Sequence, residues 1–147
     1  MLRSLTVGMP VIVLCLLLQA VFVSICLRFY VQFRADHAHK PSYWVDVRVL
    51  SAVMLLTLLG NMAQITIWAG LFRVLGEFPD MPTAIYHSAV NFVTLGYGDI
   101  VMSQPRRLLG PIEGANGILM FGVSTAVMTA AVMDVIKSHG AVSGNSN

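Results

Sequence analysis

The sequence predicts an all-α membrane protein: three transmembrane helices and one half-helix that turns back before it crosses. Three observations predict it. Charged residues make up 11% of the 147-residue chain and hydrophobic residues 56%, where soluble domains run near ~25% and ~45–50%. Three runs without charge, residues 7–27, 49–72 and 114–133, hold 21, 24 and 20 residues, each reaching the roughly 20 needed to cross a hydrocarbon core about 30 Å thick. A fourth run, residues 81–98, holds 18. It opens on Pro79-Asp80-Met81-Pro82 and closes on alternating glycines, which confine its helix to about 13 residues, roughly 20 Å long. A chain this poor in charge cannot dress a water-facing surface, which excludes a soluble enzyme. Nine Lys and Arg against seven Asp and Glu, net +2, leave no basic face for nucleic acid.

Residues 1–33 read as an N-terminal transmembrane helix. Arg3 followed by the apolar run 11–18 resembles a signal peptide, but Val23-Ser24-Ile25-Cys26 puts isoleucine where a lipoprotein cleavage box needs a small residue. Cys15 and Cys26 stand eleven residues apart, about 16 Å along a helix, too far for a disulfide. Residues 34–48 form a charged cytoplasmic linker. Its His37 and His39 are an isolated pair, weak as metal ligands, and Tyr43 and Trp44 suit an interfacial belt. The remaining domain, 49–137, starts with an outer helix, 49–75, whose Asn61 and Gln64 predict interhelical hydrogen bonding. The half-helix, 81–93, takes Asp80 as N-cap and proline in its first turn. In residues 94–99 the glycines break the helix, and such backbone is tolerated at membrane depth only where protein buries it or water lines it. Pro105 and Pro111 turn the chain into an inner helix, 112–137, and 138–147 are a short cytoplasmic tail. Glu77, Asp80 and Glu113 are expected beside Asp99 on the outer rim.

Thr94-Leu95-Gly96-Tyr97-Gly98-Asp99 resembles the potassium-channel selectivity filter, usually Thr-Val/Ile-Gly-Tyr-Gly-Asp. Half-helix, filter and flanking helices, from about residue 49 to 136, resemble the pore unit of small bacterial potassium channels; the first span lies outside it. The resemblance implies a homotetrameric potassium-channel pore fold, because one chain supplies one loop and a ring needs four. It assigns K+-lining carbonyls to Thr94, Leu95, Gly96 and Tyr97, with Gly98 completing the filter, and adds the Thr94 hydroxyl. It places Tyr97 against the surrounding half-helices and Asp99 at the outer mouth, where its charge gathers cations. The half-helix aims its negative end at the central cavity.

Several residues depart from the family pattern. Leu95 replaces valine or isoleucine, and Val93 stands where many members have threonine. Val90 stands where some bury a glutamate, which leaves Asp99 without that partner. Tyr86 and His87 replace tryptophans of an aromatic cuff; His87 is either a packed, hydrogen-bonded residue or a pH sensor. Gly122 is a candidate gating hinge and Gly117 its rival, with close packing as the alternative for both. Ser124, Thr125 and Thr129 either wet a cavity or bond back to their helix. Met128, Val132 and Ile136 are candidates for an inner hydrophobic constriction, with a lipid face as the equal alternative.

The expected activity is passive K+ conduction, not catalysis, with no cofactor beyond K+ in the filter. The alternatives are a poorly selective cation channel on the same fold and a non-conducting subunit or sensor with a vestigial loop. The expected partners are three further copies and membrane lipid; no nucleic acid or soluble protein partner is implied. The first span has no arginine repeat of a voltage sensor. An outward-facing filter puts the C-terminus in the cytoplasm and the N-terminus outside, in a bacterial inner membrane.

Overall fold

Charge-free runs become long helices because, away from water, the backbone must satisfy its own hydrogen bonds. The computed structural model describes residues 2–36 and 43–144. It contains α1 (Leu2–Asp36), α2 (Tyr43–Val74), α3 (Met81–Phe92) and α4 (Leu109–Gly144), with no strand among the described residues. Three of these are long and apolar enough to cross a membrane, over Ser4–Gln32, Tyr43–Val74 and Leu109–His139. With 12 residues, α3 extends only about 18 Å and cannot.

The helices outrun the uncharged stretches that announce them. α2 begins at Tyr43 rather than near Val49, and α4 at Leu109 rather than near Ile112. A charge does not stop a helix when it lies near the end and reaches water or a partner. Asp46, in the first turn of α2, favours the positive end of the helix dipole and lies 2.7 Å from His139 Nε2 of α4. His37 and His39 lie outside the described residues.

Lipid chains are as apolar as leucine, so hydrophobicity does not drive these helices together; close packing and buried polar contacts do. The larger core lies where α3 wedges between α2 and α4, and holds Trp68, Phe72, Phe78, Phe92, Leu109 and Met120. A smaller one, of Cys26, Val53 and Ala131, joins α1, α2 and α4 further along. α1 packs on α2 and α4 at glycines. A Cβ on Gly60 would lie 3.3 Å from Gln19 and Phe22, and one on Gly8 3.1 Å from Ile112. The Tyr30 hydroxyl donates to Asp134 Oδ2 at 2.5 Å, tying α1 to α4 again. Both cysteines are free and buried.

Gln64 finds the interhelical partners expected of it, whereas Asn61, also buried, leaves its Oδ1 without a hydrogen-bond partner. Gln64 Nε2 donates to Gln19 Oε1 at 2.8 Å, Asn116 Nδ2 to Gln64 Oε1 at 3.3 Å, and Gln19 Nε2 to Ser124 Oγ at 3.5 Å. This chain of amides crosses from α1 through α2 to α4. Thr125 and Thr129 bond back to the carbonyls four residues before them. Met128, half-buried, packs on the smaller core.

Candidate functional site

The loop that follows α3 is positioned by both ends of that helix. At the start, Asp80 is extended (φ −142°) and its carboxylate accepts from Thr83 N at 2.8 Å and from the Thr83 hydroxyl at 3.0 Å. This satisfies an amide that the first turn leaves open and holds the Asp80 carboxyl below its usual range. At the end, Thr94 N donates to Asn91 O at 2.8 Å and Leu95 N to Val90 O at 2.9 Å, which peels the chain off the helix axis.

From there the backbone alternates in hand. Thr94, Gly96 and Gly98 have φ of +61°, +57° and +76°, while no positive φ occurs at Leu95 or Tyr97. In a normal strand successive carbonyls point to opposite sides; alternating hand turns them toward one. Gly96 and Gly98 adopt this at little cost. Thr94, β-branched, is strained by about 1–3 kcal/mol, the kind of strain that concentrates at functional sites. The loop is bare within one chain: Leu95 is 58% and Tyr97 67% exposed. A cavity of about 400 Å³ opens beside it, lined by Tyr86, His87, Val90, Asp99 and Arg107 among others.

Asp99 has a partner after all. The Tyr86 hydroxyl donates to its Oδ2 at 2.7 Å, from a position one helical turn before Val90. That bond holds the Asp99 carboxyl below its ordinary range and pushes the Tyr86 phenol up. His87 is the packed alternative. It is 7% exposed, lies against Phe78 and Phe72 at centroid distances of 4.7 and 5.6 Å, and accepts from Asn91 Nδ2 at Nε2, 2.8 Å away. That assigns its proton to Nδ1, which donates to Ile100 O at 3.0 Å. Burial pushes its pKa down, so the ring is neutral at physiological pH.

The expected cluster of rim acids does not form. Glu77 takes bonds from the Ser103 amide and hydroxyl at 2.7 and 2.8 Å and pairs with Arg106 at 2.8 Å. Burial pushes its carboxyl up, but these bonds outweigh it and hold the pKa below the usual value. Glu113 is fully buried, because the helical turn from Pro111 points it at α3, where it meets the Ser88 hydroxyl. Asp99 alone of the four stands in the loop itself.

The two inner-helix glycines differ. A Cβ on Gly117 would lie 1.9 Å from the Phe92 carbonyl oxygen, whereas one on Gly122 would meet nothing within 4 Å. Gly117 is therefore the place where α4 crosses the end of α3, and the α4 helix runs through Gly122 unbroken. Sequence reasoning passed over Gln19, Ser88 and Asn116, each buried. The signal available for the last was its spacing of three from Glu113, which puts both on one helical face.

A family model described as "Ion channel" matches residues 54–134, more than half of the chain, from within α2 to within α4. No curated protein and no solved structure matches.

Proposed function

The chain belongs to the ion-channel family, a family of conductors and not of enzymes, and is an integral membrane protein; on that premise we propose that it conducts K+ selectively and passively through a homotetrameric filter. The observation that carries this reading is the alternation of positive φ at Thr94, Gly96 and Gly98 in a loop hung from a helix too short to span. K+ entering the membrane loses its water, and rings of backbone carbonyls replace it. The carbonyls of Thr94, Leu95, Gly96 and Tyr97, with the Thr94 hydroxyl, supply those rings, and Gly98 turns the chain toward Asp99 at the mouth.

Four copies are required for a physical reason. Irregular backbone facing lipid would leave its amides unsatisfied, at several kcal/mol each. Cyclic symmetry buries four such loops against one another and leaves only ions and water on the axis. The filter faces outward, so α1 starts outside and α4 ends in the cytoplasm. Gly122, with open space where a Cβ would stand, is the hinge candidate; Gly117 is a packing residue.

The test is reversal potential in planar bilayers under K+ and Na+ gradients, with cross-linking to count subunits. A potential following K+ from a tetramer supports the reading. Equal permeability would replace it with a non-selective cation channel, and folded protein without flux with a non-conducting subunit.

A further inference from the structure

Ser88 sits at the middle of α3 with no exposed surface, and its hydroxyl has two neighbours. The Ile65 carbonyl of α2 lies 2.8 Å away, and on the other side stands Oε1 of Glu113 from α4. A hydroxyl carries one proton. One proton makes one straight bond, and sharing it between two acceptors weakens both; the pair of contacts is satisfied in full when one neighbour brings a proton of its own. A backbone carbonyl has none; a carboxylic acid has one.

The surroundings agree. Glu113 has 0% exposure, and its second oxygen, Oε2, has no hydrogen-bond partner. A carboxylate would present about four lone-pair positions to be satisfied, a neutral acid fewer. Among the described residues its neighbours carry no positive charge. α3 presents Ser88 and Asn91, α1 the Cys15 thiol, and α2 the Ile65 carbonyl and, through Asn116, Gln64. His87, on the far side of Asn91, is already bonded at both nitrogens, to Ile100 O and Asn91 Nδ2.

We propose that Glu113 is a positioning residue that works as a neutral carboxylic acid: its O–H donates to Ser88 Oγ, Ser88 donates to Ile65 O, and the pair of bonds locks α4, α3 and α2 together behind the pore loop. Ionisation removes the O–H from this chain. The carboxylate then competes for the Ser88 proton as the stronger acceptor, the bond to Ile65 is lost, and a buried charge remains. α3 carries the loop at its C-terminal end, so the change reaches Thr94 through the last turn of that helix.

The part of this that concerns conduction rests on the pore reading; the protonation does not. The experiment compares wild type with Glu113→Gln, Glu113→Ala and Ser88→Ala in the full-length tetramer, by infrared difference spectroscopy and by K+ flux against pH. The amide N–H of E113Q can make the same donation. The expected result is a protonated carboxyl C=O band at neutral pH that E113Q removes. Flux of E113Q should match wild type at neutral pH, and flux of S88A and E113A should fall about tenfold. On the alkaline side wild-type flux should decline while E113Q stays level. Absence of the carboxyl band, or an E113Q that behaves like E113A, overturns the proposal. If wild type conducts nothing, the pore reading fails, and the band together with the thermal stability of E113Q against S88A still decides this one.

Discussion

Placing a methyl group on Gly117 tests how tightly the inner helix is set against the helix that carries the loop. In Gly117→Ala the new Cβ would lie 1.9 Å from the Phe92 carbonyl oxygen, 2.8 Å from its carbonyl carbon and 3.2 Å from its Cα. Packed carbon and oxygen atoms stay beyond roughly 3 Å, so α4 and α3 must separate by about 1 Å. The obstacle is backbone, which cannot rotate away as a side chain can. Overpacking of this kind costs about 1–3 kcal/mol, and alanine recovers up to ~1 kcal/mol of helix propensity over glycine. The expected balance is a loss of about 1–2 kcal/mol. Gly122→Ala serves as the control: nothing lies within 4 Å of its Cβ, so the propensity gain should appear alone. Stability is read by reversible unfolding in mixed micelles, followed by the fluorescence of Trp68, which is fully buried. Flux should also fall in G117A, because Phe92 is two residues from Thr94. A G117A protein as stable as wild type, with unchanged flux, would refute the packing role.

Three further outcomes follow from the same geometry. Tyr86→Phe removes the hydroxyl that holds the Asp99 carboxyl below its usual range; the pKa rises, so acid block of current from the Asp99 side should begin at a higher pH than in wild type, read by bilayer recording. Glu77 is a carboxyl whose pKa is lowered in the folded state, so its contribution is present above the unfolded carboxylate pKa and is lost as pH falls through the folded one. Glu77→Gln should therefore melt lower than wild type at neutral pH and show a flatter acid limb, measured by thermal unfolding across pH. Gln64→Leu breaks the amide chain from Gln19 to Asn116 and should cost about 1–2 kcal/mol in the micelle unfolding assay, with no change in ion preference.

How far each feature could be read depended on whether it was local. The half-helix and its N-cap were legible because Asp80, Pro82 and the glycines act on their own few residues of backbone. The loop motif was legible for the same reason: the positive φ at Gly96 and Gly98 belongs to residue type and immediate neighbours. Helix existence followed from charge-free length, but helix ends did not, since a charge at Arg48 or Glu113 ends a run without ending a helix. Partners across elements were the hardest. Glu113 reads as a rim acid from its place near an outer loop, and only the packing of α4 on α3 turns it inward to Ser88. Asp99 reads as lacking a partner because attention falls on Val90, while the hydroxyl that bonds it comes from Tyr86 one turn earlier.

The sequence by itself determined a three-span membrane chain, a re-entrant half-helix and a filter-like loop, since charge content, run length and glycine placement act through solvation and local backbone sterics. Only the tertiary structure decided which polar groups meet inside the bundle: Glu113 with Ser88, Gln19 with Gln64, Tyr86 with Asp99, and Gly117 with the Phe92 backbone. These are contacts between helices distant in sequence. Their geometry depends on the crossing and rotation of each helix against the others, which no single stretch of residues encodes.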